Sequence, residues 1–325
     1  MKRPLHWIPT ELHSHTVHSD GTMVPATLAA EAHRAGFGAL ALTDHNTATG
    51  RPALTAEGEN HGLVTVPGLE LTTFFGHVLV WGAEPSVDWR TLGPSDLGPA
   101  LGSLGHRSTL AIGAAHPFRG GNPFCTGCFW EYDLPFDDLD CLEVWSGVDP
   151  DLLVDNHRAL ALWDQLLDQG VRITATAGRD WHRADPVPGL RSATFVGVEG
   201  SDPTDFIQAL HRGRAAPSLG PLPSLARGEA GIGDRWDAGS DAPLTFGVKN
   251  SGWGLALGSV EGPRVALVSN LGALATHALG PEGGSFEVPV ADLGLRWARV
   301  EVRGLVEGRE RLLAFTNPVY GASGL

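Results

Sequence analysis

The chain has 325 residues, of which 42% are hydrophobic, so it is long enough for two globular domains with buried cores. Acidic residues outnumber Lys and Arg by 37 to 23, and the formal net charge is −14. This surplus argues against a nucleic-acid partner, because such binding depends on Lys and Arg contacts to phosphate. The two lysines, Lys2 and Lys249, leave little room for a Schiff-base, phosphate-loop or metal-bridging carbamylated lysine.

The N-terminus carries no apolar stretch typical of a signal peptide, and no apolar run approaches the roughly 18 residues of a membrane span. Three cysteines, Cys125, Cys128 and Cys141, give an odd count that is not typical of a secreted disulfide framework. We therefore expect a cytoplasmic protein without a membrane partner. Cys125 and Cys128 form a CxxC pair, for which loop packing is the simplest interpretation, since structural zinc needs two more donors.

Residues 1–217 alternate between helical and strand patterns. Helices are predicted at 25–35 and 156–169, and each is followed by a glycine. Short apolar runs typical of buried strands occur at 39–42, 63–70, 77–82, 110–117, 141–145 and 171–177. This alternation predicts a parallel, barrel-like α/β domain, in which functional residues gather at the carboxyl ends of the strands.

Residues 218–325 show a different pattern. After a segment rich in Gly, Pro and Ser, short alternating runs follow with little helical pattern between them, at 244–248, 264–268, 285–290, 297–302 and 311–315. They predict a small antiparallel β-sandwich of about a hundred residues. We expect this accessory domain to contribute little to the chemistry, because thirteen of the fourteen histidines occur by His211.

Candidate metal ligands begin near the N-terminus. His13 and His15 are two residues apart, so on an extended strand their side chains lie on the same face and can bind one ion. Imidazole together with carboxylate is the usual donor set for Zn²⁺, Mn²⁺ or Fe²⁺. Further candidates lie in the next turn (Asp20) and at the start of a predicted strand (His77). The others occur where predicted strands end: Asp44, His45, Glu70, His116, Glu143, Asp180 and His182.

The order of these motifs resembles the PHP (polymerase and histidinol phosphatase) superfamily of metallohydrolases. Its motifs run HxH and SDG, then TDH, a lone Glu, a lone His and GxDxH. Shorter segments at 75–82, 125–130 and 142–147 are similar to the carbaryl-hydrolase (CehA/McbA) branch. The resemblance covers about residues 7–215. It implies a distorted (β/α)₇ TIM-like barrel with two or three divalent metal ions at the strand ends.

The resemblance implies nine metal ligands distributed over three ions. Four of them would hold the first ion: His13, His15, Glu70 and Asp180. Glu70 would bridge to a second ion, whose other ligands would be His77 and His116. The third ion would be held by Asp20, His45 and His182.

Four residues are candidate catalytic residues: Asp44, Glu70, Arg179 and Asp180. Asp44 is expected to orient a ligand imidazole by accepting its other N–H. Arg179 stands where the family commonly has Ser, and it either clamps a substrate anion or lies solvated beside the site. Ions bridged by a carboxylate such as Glu70 share a water and lower its pKa, which would give a bridging hydroxide.

We therefore predict a metal-dependent hydrolase, in the first place a phosphoesterase that uses a metal-bridging hydroxide on a small-molecule phosphate ester. A carbamate or carboxyl-ester hydrolase is an alternative, because the same nucleophile can attack a carbonyl carbon and the branch is associated with carbamate hydrolysis. A non-catalytic metal-dependent binding module is a further alternative. The nearly complete ligand set argues against it, because loss of activity usually shows first as missing ligands.

Overall fold

The computed structural model describes residues 3–82, 87–103, 107–120, 129–184, 190–237, 240–290 and 294–321. Cys125 and Cys128 lie outside these ranges, and their role in loop packing stays a prediction. The fold is mixed α/β and is dominated by strands, with five α-helices among the described residues. None of these helices has the length and apolar character needed to cross a membrane.

Nine strands belong to the first part of the chain: β1 (His6–Glu11), β2 (Ala39–Leu42), β3 (Val64–Thr73), β4 (Gly76–Gly82), β5 (Leu110–Ala114), β6 (Cys141–Ser146), β7 (Thr174–Gly178), β8 (Ala193–Val198) and β9 (Ala215–Ser218). The helices lie between them: α1 (Pro25–Arg34), α2 (Arg51–His61), α3 (Leu97–Gly102), α4 (Val154–Asp168) and α5 (Pro203–His211). The predicted helices at 25–35 and 156–169 correspond to α1 and α4.

The nine strands pair in the order β9-β8-β1-β2-β3-β4-β5-β6-β7. The parallel pairs are β1–β2, β2–β3, β5–β6 and β6–β7. β4 is antiparallel to both of its neighbours, and β8 is antiparallel to β1. The expectation of a purely parallel domain is therefore wrong at these strands. Only Phe74 and Phe75 separate β3 from β4, which is too short for a parallel crossover.

The central strands are buried on both faces, which explains why they read as continuous apolar runs rather than alternating ones. All residues of β2, β5, β6, β7 and β8 are buried. α1 packs one side against this layer through Leu28, Ala29 and Ala32. Polar side chains that follow these strands are consequently held by a rigid frame.

Side-chain hydrogen bonds connect β7 to the strands at the other side of the layer. Thr194 of β8 donates from Oγ1 to Ala177 O and accepts from Ala177 N, both at 2.8 Å. Asn317 accepts from Ala175 N at 2.8 Å and donates to the carbonyls of Ala175 and Ala215, each at 2.9 Å. A C-terminal residue thus joins β7 to β9.

The remaining strands are β10 (Pro221–Arg227), β11 (Ala230–Gly231), β12 (Leu244–Asn250), β13 (Glu261–Ser269), β14 (Gly272–Ala278), β15 (Gly283–Val288), β16 (Trp297–Val306), β17 (Arg309–Phe315) and β18 (Val319–Tyr320). β13, β14, β16 and β17 extend the long sheet, because β17 pairs with β9. β10, β11, β12 and β15 form a second sheet. The two sheets share an apolar core that includes Phe246, Leu267 and Val300. Strand pairing therefore continues across residue 217, where we predict the domain boundary.

Candidate metal centre

The candidate ligands lie where strands β1, β2, β5 and β7 end and on the adjoining strands β3 and β4. His13 and His15 follow β1, and Ser14 between them pairs with Trp181 in a parallel bridge. This extended pairing directs His13 and His15 to the same side. His45, which follows β2, pairs in the same way with Glu70 of β3.

The structure brings all nine predicted ligands together. They form three overlapping groups, and within each group one ligand atom per residue lies within 4.8 Å of the others. The groups are His13, Glu70, His116 and Asp180; His15, Asp20, His45 and His182; and His45, Glu70 and His77. The set implied by the family resemblance for a first ion also converges, because Nε2 of His13 and Nε2 of His15 each lie 3.1–3.4 Å from Glu70 Oε2 and Asp180 Oδ1.

Glu70 is the centre of the cluster. Its side chain is fully buried, and Oε2 lies 3.2 Å from His13 Nε2 and 3.3 Å from His15 Nε2. The other oxygen, Oε1, lies 2.8 Å from His77 Nδ1 and 3.2 Å from His116 Nε2. The two oxygens therefore face different imidazoles, which is the arrangement that a bridging carboxylate requires.

Asp20 is the most exposed member of the cluster. Its Oδ1 atom lies 3.1 Å from His182 Nε2, 3.5 Å from His45 Nε2 and 3.9 Å from His15 Nδ1. With 53% of its side chain exposed, Asp20 marks the side of the cluster that solvent reaches.

Several buried ligand atoms at the centre make no hydrogen bond within the described residues: His13 Nε2, His15 Nδ1 and Nε2, Glu70 Oε2 and Asp180 Oδ1. His15 Nε2 and Asp180 Oδ1 are only 3.1 Å apart, yet they lack the geometry of a hydrogen bond. Buried polar atoms are normally paired, because burying them unpaired costs about 1–3 kcal/mol each. Atoms that converge without bonding one another instead fit a cation between them.

The electrostatics of the cluster also favour a cation. Burial would raise the pKa of Glu70, but the surrounding imidazoles, led by His13, hold it well below its usual value. The same balance lowers the pKa of Asp180. Burial would lower the pKa of His13, but the carboxylates of Glu143 and Glu70 raise it well above its ordinary value. For His45 the Glu70 carboxylate likewise outweighs burial and raises the pKa to about 10. Without an ion, protons on the imidazoles must balance the buried carboxylates.

Glu143, in the middle of strand β6, holds two of the proposed ligands in position. Its Oε1 atom lies 2.9 Å from His13 Nδ1, and its Oε2 atom accepts from His116 N at 2.9 Å. With Nδ1 held in this way, Nε2 of His13 is left to bind an ion. Gly178 makes room for the pair, because a Cβ there would lie 2.5 Å from both Glu143 Oε1 and His13 Cβ.

Asp44 is placed differently from our expectation. Its Oδ1 accepts from Thr16 N and Ser19 Oγ, and its Oδ2 accepts from Thr16 Oγ1, each at 2.7 Å. Among the described contacts, the carboxylate therefore holds the turn that carries Asp20 rather than an imidazole. His18 of the same turn is exposed, and its Nδ1 contacts Thr49 Oγ1 at 2.9 Å.

Backbone strain concentrates at the cluster. Five non-glycine residues of the described chain have a positive φ, and three of them adjoin the site: Asn46 (54°), His116 (23°) and Asp180 (50°). Such conformations persist only where the surrounding structure enforces them, and they are enriched at functional sites. Two proposed ligands are thus aimed by an unfavourable backbone.

A cavity of about 480 Å³ opens beside the cluster. It is lined by Asp20, Thr22, Arg119, Val148, Arg179, Asp180, Trp181, His182 and Arg183. Arg119 forms an ion pair with Asp180 through Nη1 and Oδ2. Arg179 is only 3% exposed, and its guanidinium lies 3.9 Å from the centroid of the Trp181 ring. The interpretation of Arg179 as a solvated side chain is therefore wrong.

Two acidic residues behind the ligands carry less obvious sequence signals. Glu143 lies within the buried strand β6, and its distance in sequence from the HxH motif hides its contact with His13. Glu11 precedes that motif and is fully buried, and its Oε1 accepts from His13 N and Arg179 N. Burial raises the pKa of Glu11 to about 7, although Arg179 acts in the opposite direction.

Part of the chain is similar to a known domain family. Residues 11–92 match the PHP domain family. This stretch contains six of the nine proposed ligands, and the other three, His116, Asp180 and His182, lie beyond it. The family match therefore includes part of the cluster, and the fold brings the remaining three ligands to it.

One curated protein is similar to a short segment of the chain, and one solved structure is similar to nearly all of it. A segment of 65 residues is 43% identical to the 5′-3′ exoribonuclease Rnm of Salmonella typhimurium strain LT2, and it covers 19% of this chain and 22% of that protein. The chain thus spans about a fifth of the length of this curated relative. A crystal structure from Bacteroides vulgatus ATCC 8482 is similar over 97% of this chain and 96% of its own, with a TM-score of 0.54 and 16% identity. It is described as a two-domain protein containing a predicted PHP-like metal-dependent phosphoesterase, and the likeness concerns the fold.

Proposed function

We propose that this protein is a PHP-type metal-dependent phosphoesterase that hydrolyses a small phosphate ester. The observation that carries the proposal is the convergence of nine His, Asp and Glu side chains whose central atoms are buried without hydrogen bonds. The proposal also includes the distorted barrel implied by the sequence. The side-chain bonds of Thr194 and Asn317 across β7, β8 and β9 support that architecture.

The donor set suits divalent ions. Imidazole nitrogen and carboxylate oxygen are the ligands of Zn²⁺, Mn²⁺ and Fe²⁺ in hydrolases, and a mixed set does not select one of the three. His13, Glu70, His116 and Asp180 would hold one ion, and His15, Asp20, His45 and His182 another. His77 would serve a third position shared with Glu70 and His45. Ions bound there would lower the pKa of a water molecule and offset charge on a phosphate.

The residues of the chain itself perform three tasks around such ions. Glu143 fixes the tautomer of His13, and Asp44 fixes the turn that presents Asp20. Arg119, ion-paired with Asp180, lies where it can contact phosphate oxygens next to the proposed ions. The guanidinium of Arg179 lies over the Trp181 ring, and a planar guanidinium is suited to binding an oxyanion through two N–H groups.

The charge of the cavity favours an anionic substrate over a neutral carbamate. Three arginines line it, and both of its aspartates are proposed ligands whose charge the ions would offset. In a chain with a net charge of −14, this is a local concentration of positive charge. A carbamate or carboxyl ester remains the alternative substrate class, because the same nucleophile can attack a carbonyl carbon. Such a neutral substrate would leave the arginines of the cavity without a role.

The similarity to an exoribonuclease favours a nucleic-acid substrate as the second candidate. A short single strand with a terminal phosphate would present the same anionic group to the cavity arginines. The overall charge weighs against a long polyanion, since each neutralised phosphate requires a nearby cation. The substrate panel should therefore include a short RNA.

Hydrolysis assays on metal-loaded protein test the proposal. The panel comprises 4-nitrophenyl phosphate, bis(4-nitrophenyl) phosphate, 1-naphthyl N-methylcarbamate and a short RNA oligonucleotide. We expect metal-dependent release of nitrophenol from the phosphomonoester and its loss in His13→Ala. His18→Ala is the matched control, because His18 belongs to the same sequence motif but its imidazole contacts Thr49.

The outcomes separate the hypotheses. Turnover of the carbamate alone would replace the phosphoesterase proposal with its alternative, and turnover of RNA alone would make the protein a nuclease. Metal binding without turnover of any substrate would favour a binding module. Full metal content and full activity in His13→Ala would show that the proposed site is wrong.

A further inference from the structure

The connection between β6 and α4 borders the cavity, and we call its residues 147–152 the rim loop. Val148 of this loop lines the cavity. Gly147 approaches Arg119 so closely that a Cβ there would lie 3.3 Å from the Arg119 guanidinium nitrogen Nη2. The position of the rim loop therefore sets both the shape of the cavity and the space around Arg119.

The rim loop is strained and needs support. Asp149 has a positive φ of 50°, a conformation that is unfavourable for a residue with a side chain. Residues Pro150–Leu152 follow it as a single 3₁₀ turn. A short turn of this kind has few internal bonds, so its conformation depends on contacts from elsewhere.

Arg311 of β17 supplies such a contact from the C-terminal sheet. Its Nε and Nη2 atoms each donate to a different oxygen of Asp151 at 2.6 Å, and Nη2 also donates to Asp149 Oδ1 at 2.8 Å. The side chains of Arg311 and Asp151 are only 6% and 2% exposed. A buried bidentate pair of this geometry fixes both distance and orientation.

The other supports of the rim loop come from the first part of the chain. Asn156 of α4 donates from Nδ2 to the carbonyls of Ser146 and Pro150, each at 2.9 Å. The amide of Asp149 donates to Leu190 O at 2.9 Å, and His157 Nε2 of α4 lies 2.6 Å from Asp151 O. Arg311 lies about 160 positions further along the sequence than the two aspartates that it binds.

We propose that Arg311 is a positioning residue through which the C-terminal sheet holds the rim loop in the conformation that binds substrate. The C-terminal region then acts on substrate affinity without contributing a metal ligand. This inference rests on the proposed function for its kinetic consequence. The ordering of the rim loop by Arg311 does not depend on the proposed function and can be measured without any substrate.

The test compares Arg311→Gln with Arg264→Gln in the metal-loaded full chain. Arg264 pairs with Glu310, the neighbour of Arg311 in β17, and that pair is about 40% exposed. Because side chains alternate along a strand, Glu310 points to the opposite face of β17 from Arg311. Hydrogen exchange of residues 147–152 should become about tenfold faster in Arg311→Gln and stay unchanged in Arg264→Gln. The KM for 4-nitrophenyl phosphate should rise about tenfold with kcat within about threefold. Metal content should not change.

Two further measurements keep the test decisive. Arg311→Gln/Asp151→Asn removes the pair without leaving a buried carboxylate uncompensated, and it should reproduce the exchange and KM changes if the single variant folds poorly. Calorimetry with inorganic phosphate should show about tenfold weaker binding in Arg311→Gln even if no ester is hydrolysed, so failure of the proposed function is distinguishable. Unchanged exchange in 147–152, or faster exchange with unchanged KM and phosphate affinity, would overturn the proposal.

Discussion

Buried polar side chains occur in two regions of this molecule, and the regions use their hydrogen-bonding capacity in opposite ways. At the junction with the C-terminal strands, Asn317 makes three hydrogen bonds and Arg311 makes three. In the proposed metal centre, atoms of His13, His15 and Glu70 are just as deeply buried and make none within the described residues. The junction is complete by itself, whereas the centre is complete only with a bound ion.

The difference shows how burial can be used to separate structural from functional polar groups. Both regions contain buried carboxylates, so burial alone does not distinguish them. The direction of the atoms without hydrogen bonds does distinguish them. At the centre these atoms face one another across distances of 3.1–3.4 Å without forming hydrogen bonds. Variants of the two regions should therefore lose different properties. Changes at the centre should remove metal and activity, and changes at the junction should lower stability or substrate affinity without removing metal.

The largest effect is expected for Glu70→Gln. An amide keeps the size of the side chain but loses the charge that faces imidazoles on both sides, so it should no longer bridge ions. We expect activity to fall by about 10³-fold or more, which corresponds to about 4 kcal/mol in the barrier. Metal analysis and steady-state kinetics check this. A variant with wild-type kcat/KM would show that Glu70 is not a ligand.

Asn317→Ala should lower stability without removing metal. The change leaves the amide and carbonyl of Ala175 without their buried partners, whereas the carbonyl of Ala215 keeps the bond from the backbone N–H of residue 317. We expect a loss of about 3 kcal/mol in the free energy of unfolding. Urea denaturation with metal analysis of the folded protein measures both quantities. Loss of metal at unchanged stability would contradict the distinction between the regions.

A smaller effect is expected for Glu143→Gln, which tests the link between the buried frame and the centre. The amide can still contact His13 Nδ1, but it no longer fixes the tautomer or increases the basicity of Nε2. Metal affinity should fall about 10- to 100-fold, as for other residues that orient metal-binding histidines. Competition with a chromogenic chelator measures the affinity. An unchanged affinity would show that the contact is not needed for binding.

The smallest effect is expected in the pH dependence of metal binding, where the affinity should change gradually with pH. The pKa of His45 is raised to about 10, so in the metal-free protein its protonated form stabilises the fold below the ordinary histidine pKa. That stabilisation is lost as the pH rises through 10. A metal needs the neutral imidazole and must displace this proton. Metal affinity should therefore rise about tenfold per pH unit for each displaced proton between pH 7 and 9. Proton release measured by calorimetry in two buffers provides the check.

Much of the fold follows from local patterns. The glycine-terminated helices α1 and α4 and the buried strands β2, β5 and β6 are each indicated by residues close in sequence. The antiparallel placement of β4 was harder to anticipate, because a buried strand has the same apolar pattern in either direction. Its direction is determined by the two-residue connection at Phe74–Phe75, which the parallel interpretation overlooked. The link between β7 and β9 depends on Asn317, a contact across 142 residues that no local pattern indicates.

The candidate site also contains residues that local sequence patterns indicate and arrangements that they do not. His13 and His15 are indicated by their spacing, and Glu70, His116 and Asp180 by their position at or near strand ends. The distribution of these residues over separate ions depends on distances that the sequence does not contain, such as those that place His13 and His15 both beside Glu70 and Asp180. Arg179 gives a similar lesson, because an arginine next to a ligand is typical of a solvated position as often as of a buried one.

Equilibrium metal binding to the purified, metal-free chain tests the central claim most directly. We predict that the wild-type protein binds two or three divalent ions, that His13→Ala binds at least one fewer, and that His18→Ala binds the same number as the wild type. Titration with Mn²⁺ or Zn²⁺, followed by metal analysis of the desalted protein, gives the count. A wild-type protein that binds no ion, or a His13→Ala variant that binds as many as the wild type with equal affinity, would contradict the account.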